Sequence, residues 1–170
     1  MKRCSKKTWL AFVLATVAGT CLHFGYSLWP NLLTAVFCPM QESLWEHLKI
    51  LFWPCLAAAL ILSRWDGRLI PRAVILLLSC AAMLAVGWIL HVPLEGTPMF
   101  ADIVLYVLLV ALCLFLPCLA ERPLAQISAL PVAVLLILLG AAIVVFSFFP
   151  PKNILFFDLS GVKTWATIPY

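Results

Sequence analysis

The stretch Glu42-Ser-Leu-Trp-Glu-His-Leu-Lys-Ile-Leu-Phe-Trp-Pro54 (ESLWEHLKILFWP) sets Glu42, Glu46, His47 and Lys49 at the mouth of a segment that is then apolar to Ser63. How that segment is read decides the class of protein. A hydrocarbon core of roughly 30 Å takes about 20 apolar helical residues to cross, and Leu44 to Ser63 meets that length. The charges at its entry then stand where a transmembrane helix meets the headgroups.

The rest of the chain agrees. It is 65% hydrophobic and 11% charged over 170 residues, with a mean hydropathy of +1.13, whereas a soluble domain carries about 25% charged residues. Four more stretches reach spanning length: Thr8 to Trp29, Pro71 to His91, Pro98 to Ala120 and Leu124 to Phe149. Their apolar runs are continuous, without the alternation of a barrel strand, so every backbone group must be satisfied within a helix. The predicted fold is all-α: a polytopic transmembrane bundle of five helices forming one integral membrane domain over residues 1–170, with a tail from 150 to 170. The first span reads as an uncleaved anchor. Thr20 stands before Cys21, where a lipoprotein signal needs Gly, Ala or Ser, and the apolar run continues to Trp29.

Basic residues orient the bundle. Lys2, Arg3, Lys6, Lys7, Arg64, Arg68, Arg72 and Arg122 fall on one side, eight in all, against three on the other: Lys49, Lys152 and Lys163. The amino terminus is therefore predicted to be cytoplasmic and the carboxyl terminus outside, in a bacterial cytoplasmic membrane.

Most remaining polar residues gather at the outer side. Glu42, Glu46, His47, Glu95, Asp102 and Asp158 lie at or beyond outer span ends, His91 closes the third span, and His23 lies six residues inside Trp29, about 9 Å deep. Ala11, Ala15 and Gly19 recur every fourth residue, a small-residue stripe that lets another helix come close, and His23 continues it with Tyr26 on the same face. On the second span Glu46, Lys49 and Trp53 share a face with Glu42, and on the fourth Asp102, Tyr106 and Cys113 align. The bland alternative is that Glu42 and Glu46 answer the helix dipole, and that Lys49 pairs with Glu46 at the surface or snorkels to the headgroups. Pro54 removes a helical hydrogen bond and opens the outer end of its span.

Several chemistries have no signature. The seven cysteines include no C-x-x-C pair, and the chain has no phosphate loop, no H-E-x-x-H motif and no basic aromatic groove for nucleic acid.

The segment "QESLWEHLKILFWP" resembles the N-E-S-x-W-E-H-x-K signature of a family of small, functionally uncharacterised bacterial membrane proteins, and "FFPPKNILFFDLSG" resembles that family's closing segment. The resemblance implies correspondence of Glu42, Ser43, Trp45, Glu46, His47 and Lys49 with the signature, and of Pro150, Pro151, Asp158 and Gly161 with the tail. Gln41 stands where the family has Asn, and "GVKTWA" replaces a Tyr-Gly pair. The family supplies no known activity.

Three functions compete. One is a pocket in the outer leaflet for a membrane lipid headgroup or small polar ligand, lined by His23, Tyr26, Glu42, Trp45, Lys49, Asp102 and Asp158. Another is an intramembrane metal-dependent hydrolase, with His23, His47 and His91 on zinc and Glu46 as base for its water. The last is a non-catalytic scaffold for a membrane protein partner. The tail, with Phe156, Phe157, Trp165 and Tyr170, is predicted to fold against the outer face as a partial lid bringing Asp158 near the polar cluster.

Overall fold

The structure is a computed structural model describing residues 4–94, 99–119 and 126–159. Lys2, Arg3, Glu95, Arg122, Gly161, Lys163, Trp165 and Tyr170 lie outside the described residues. Five long helices are present, each long and apolar enough to cross a membrane: α1 (Lys6–Leu28), α3 (Leu48–Asp66), α4 (Leu69–His91), α5 (Met99–Leu119) and α6 (Ala129–Phe148). Between α1 and α3 lies a short helix, α2 (Leu32–Phe37), and a 3-10 turn at Ile154–Phe156 follows α6. The described residues contain no strand. The all-α, five-span class stands. Below, the bundle end bearing Trp29, His47 and Phe149 is called the outer end.

Helix α3 is the innermost, with more than half of its apolar stretch buried, while α1 and α6 turn most of theirs outward. Leu48, Leu51, Phe52 and Cys55 of α3 pack into one core with Leu76 and Cys80 of α4, Val110 and Leu114 of α5, and Ile143 of α6. The outward apolar side chains of α1, among them Trp9, Leu10, Val13, Leu14 and Val17, suit contact with hydrocarbon.

The small-residue stripe does what its spacing requires. Ala15 and Gly19 are buried and Ala11 packs against the core. A β-carbon on Gly19 would sit 2.5 Å from the Ile50 carbonyl oxygen and collide with the Tyr106 hydroxyl. That carbonyl belongs to the residue four before Pro54, which has no N–H to donate to it, so the proline and the glycine meet at one crossing. The Tyr106 hydroxyl donates at 3.0 Å to the Thr16 carbonyl and lies 3.2 Å from that of Ala15, tying α5 to the same turn of α1.

At the opposite end the helices outrun the apolar stretches. The predicted loop from Arg64 to Arg72 contracts to Gly67 and Arg68, because α3 continues to Asp66 and α4 begins at Leu69. The Arg72 guanidinium, wholly buried, forks onto Asp66 at 2.7 and 2.6 Å and neutralises the carboxylate at the helix end. Gly67 then turns the chain at φ 71°, a left-handed conformation that glycine adopts without strain. Lys7 lies 4.1 Å over the Trp65 ring, joining the start of α1 to the end of α3.

Gly19→Ala is expected to destabilise the detergent-solubilised protein by about 1–3 kcal/mol, because the colliding oxygen belongs to backbone and cannot swing aside. Gly140→Ala is the control, since its β-carbon would stand 3.4 Å from Phe52, an ordinary contact. Thermal unfolding of the two variants should separate them clearly.

Candidate functional site

Helix α2 explains the charges at the mouth of α3. Asn31 and Thr34 form a reciprocal capping box that starts it. Its far end has a defect written in the sequence: Ala35 needs a donor four residues on, and that residue is Pro39. The Lys49 ammonium fills the gap. It donates to the Ala35 carbonyl at 2.6 Å, to the Cys38 carbonyl at 3.1 Å and to Glu46 Oε2 at 2.7 Å, three acceptors for three N–H bonds. The next carbonyl, that of Val36, accepts from Trp53 Nε1 at 3.3 Å. One face of α3 thus completes the hydrogen bonding of a helix that runs over it.

Glu46 is the counterpart, and its two oxygens are committed. Oε2 accepts from Lys49 and, at 2.8 Å, from the Met40 amide, while Oε1 accepts from the Ser147 hydroxyl of α6 at 2.5 Å. Both side chains are sealed, Lys49 at 0% and Glu46 at 2% exposure. The surface pair and the snorkelling lysine are therefore corrected: burying both charges is tolerated because every polar atom finds a partner. Glu46 is spent on structure rather than aimed at a water, and Lys49 is closed to a ligand. The α-helix also begins at Leu48, not Leu44. The preceding residues form a tighter turn, with Leu48 and Lys49 donating to the carbonyls of Trp45 and Glu46 at 3.1 Å, and Ser43 Oγ accepting from the Glu46 amide at 3.2 Å.

Glu42 goes elsewhere. It stands between two imidazoles, with His47 Nε2 at 3.3 Å from Oε2 and His23 Nε2 at 3.7 Å from Oε1. The His23 and His47 rings lie 5.3 Å apart, and one donor atom from each of the three residues falls within 4.8 Å of the others. His47 Nδ1 lies 2.8 Å from the Ser43 carbonyl. The Ser43 carbonyl and the Glu42 carboxylate both only accept, so Nδ1 carries a proton, and with nothing bound Nε2 faces Glu42 as a second donor. Contact with His47, reinforced by the charges of both imidazoles, outweighs burial and holds the Glu42 carboxyl below the usual carboxylate range. Burial pushes the His47 imidazole down, but Glu42, the Ser43 carbonyl and the charge of Asp102 together raise it above its ordinary value. About half of the Glu42 side chain (47%) is exposed, against roughly a quarter of each histidine, so this site opens outward.

The other predicted residues divide. His91 Nε2 meets Asp102 Oδ1 at 2.9 Å, and the donor cluster has Glu42 where the histidine triad has His91. Tyr26 is half-buried beyond His23. Trp45 packs between Phe146 and Phe156 at 5.5 and 5.0 Å, its amide donates to the Leu155 carbonyl, and its buried Nε1 finds no partner among the described residues. The described part of the tail, residues 150–159, folds back: the Leu159 amide donates to the Glu42 carbonyl at 2.9 Å, and Gln41 Nε2 to the Phe156 carbonyl at 2.9 Å, while Trp165 and Tyr170 lie outside the described residues. Asp158 is exposed beside that contact. Ser147 had no sequence signal beyond a hydroxyl in an apolar run, and α2 lies in a stretch shorter than a span. No family model, no curated protein and no solved structure matches the chain.

Lys49→Met and Glu46→Gln are each expected to cost about 3–5 kcal/mol, since either leaves a buried charge without its partner. The double variant should cost less than the sum by about 0.5–3 kcal/mol. Unfolding of all four proteins in one detergent measures this coupling.

Proposed function

We propose that this multi-pass membrane protein holds a small cation-bearing polar ligand, such as a metal ion or the amine of a lipid headgroup, in a pocket of the outer leaflet centred on Glu42. One observation carries the reading. Of the two carboxylates at the mouth of α3, Glu46 is sealed and saturated, whereas Glu42 is held ionised, half-exposed and flanked by two imidazoles. A fold that satisfies one carboxylate so completely and leaves its neighbour open presents an anion to something from outside. Residues 156 and 159 of the tail bond to Gln41 and Glu42 beside the site, and the outward apolar faces of α1 and α6 support a membrane setting.

Location in a bacterial cytoplasmic membrane, with the amino terminus inside, is supported by the asymmetry of eight basic residues against three. Membership of the uncharacterised family is supported by the Glu42 to Lys49 motif, whose residues divide here between a structural pair, Glu46 and Lys49, and a binding group, Glu42 and His47.

Native mass spectrometry of protein released from mild detergent tests the reading. The wild type is expected to carry a small bound mass that Glu42→Gln lacks, with unfolding temperatures within a few degrees of each other. Identical adducts on both proteins would overturn it.

A further inference from the structure

We infer that the occupant of this pocket is a divalent transition metal ion of the zinc class, bound by His23 Nε2, His47 Nε2 and a Glu42 carboxylate oxygen. The inference rests on the cation-site reading above and narrows it to a metal, with a donor set different from the histidine triad suggested by the sequence.

Spacing separates the two kinds of cation. An ammonium group hydrogen-bonds at about 2.8 Å, which sets its acceptors about 4.6 Å apart around a tetrahedral nitrogen. Zinc–nitrogen and zinc–oxygen bonds of about 2.0–2.2 Å set donors about 3.4 Å apart. Glu42 Oε2 lies 3.3 Å from His47 Nε2 and Oε1 lies 3.7 Å from His23 Nε2, one oxygen toward each imidazole and both distances nearer the metal spacing than the ammonium spacing. All three donors already fall within 4.8 Å, so ligation needs a shift of about 1 Å in side chains that are themselves part-exposed.

Donor chemistry agrees. With any Nε2 proton displaced by the ion, two imidazoles and one carboxylate suit zinc and its late first-row neighbours, while magnesium and calcium take oxygen ligands. The hydrogen bond from His47 Nδ1 to the Ser43 carbonyl is the outer-shell support that fixes a metal-binding tautomer and leaves Nε2 as the ligand. His23 is the second independent sign. It sits within a membrane-spanning helix, its Nδ1 is buried without a partner, and its Nε2 is too far from Glu42 for a hydrogen bond. Among the described residues neither ring nitrogen is hydrogen-bonded, and for the buried Nδ1 this is costly. A metal bond gives Nε2 the partner it lacks and leaves the ring proton on Nδ1. Three protein ligands leave a fourth position on the open side of Glu42, where water or a substrate atom can enter.

The test uses full-length protein in detergent, stripped of metal with a chelator and titrated with Zn²⁺ against a chromophoric competitor. One zinc per chain is expected, with affinity falling about 100-fold or more in Glu42→Gln and His23→Gln. His91→Gln should keep the affinity; its loss there, with Glu42→Gln unaffected, would overturn this ligand set in favour of three histidines. Because seven cysteines are present, Co²⁺ replaces zinc in a parallel titration. Visible bands without a thiolate charge-transfer band are expected, and a strong thiolate band would overturn the assignment. If the protein binds no zinc yet retains an amine-headgroup lipid that Glu42→Gln loses, the metal inference fails and the cation-site reading stands. If it holds neither, both fail.

Discussion

A lysine ammonium sealed inside the protein needs three acceptors, and the outer end of this protein is arranged to provide them. Two are carbonyls at the end of α2, that of Ala35 within it and that of Cys38 at its cap, and the third is Glu46. Removal of any one leaves a charge or a dipole stranded in an apolar interior, so α2, the turn before α3 and the lysine hold or fail together. Glu46 extends the constraint to α6 through Ser147 and to the connecting segment through the Met40 amide. The backbone carrying Glu42 and His47 is placed as a consequence. His47 is the residue immediately before α3, and Glu42 is reached through Ser43, whose hydroxyl and carbonyl take the Glu46 amide and the His47 ring.

This arrangement explains how two glutamates four residues apart come to do opposite things. In a continuous helix Glu42 and Glu46 would share a face. The tight turn between Ser43 and His47 breaks that register, sending Glu46 inward to Lys49 and leaving Glu42 beside the imidazoles. The binding reading depends on this break, because the open carboxylate can meet a ligand without disturbing the sealed one.

The five spans were legible because hydropathy over about 20 residues reports burial in hydrocarbon directly. The approach of α1 was legible too, since Ala11, Ala15 and Gly19 left room for the Ile50 carbonyl. Helix ends were less so: Asp66 stays helical because Arg72, six residues on and across the turn, neutralises it, and a hydropathy window sees only two charges. The face read for Glu42, Glu46, Lys49 and Trp53 holds for the last three and not for Glu42, and its target was not foreseen. The clue was Pro39, which orphans Ala35 only if residues 32–37 form a helix, and six residues are too few for periodicity to reveal one. His23 and His47 were paired from depth and helical face. Glu42 as their companion depended on the turn, which a helix-start reading of the motif concealed.

Backbone protection in the outer segment tests the central claim most directly, because amide hydrogen exchange reports local opening residue by residue. In the wild type, amides between Ala35 and His47 should exchange slowly, with the Met40 amide held by Glu46. In Lys49→Met that segment should lose its protection while Leu51 to Leu62 in α3 keep theirs. Unchanged protection from Ala35 to His47 in the variant would contradict the account, since the outer segment would then stand without the lysine.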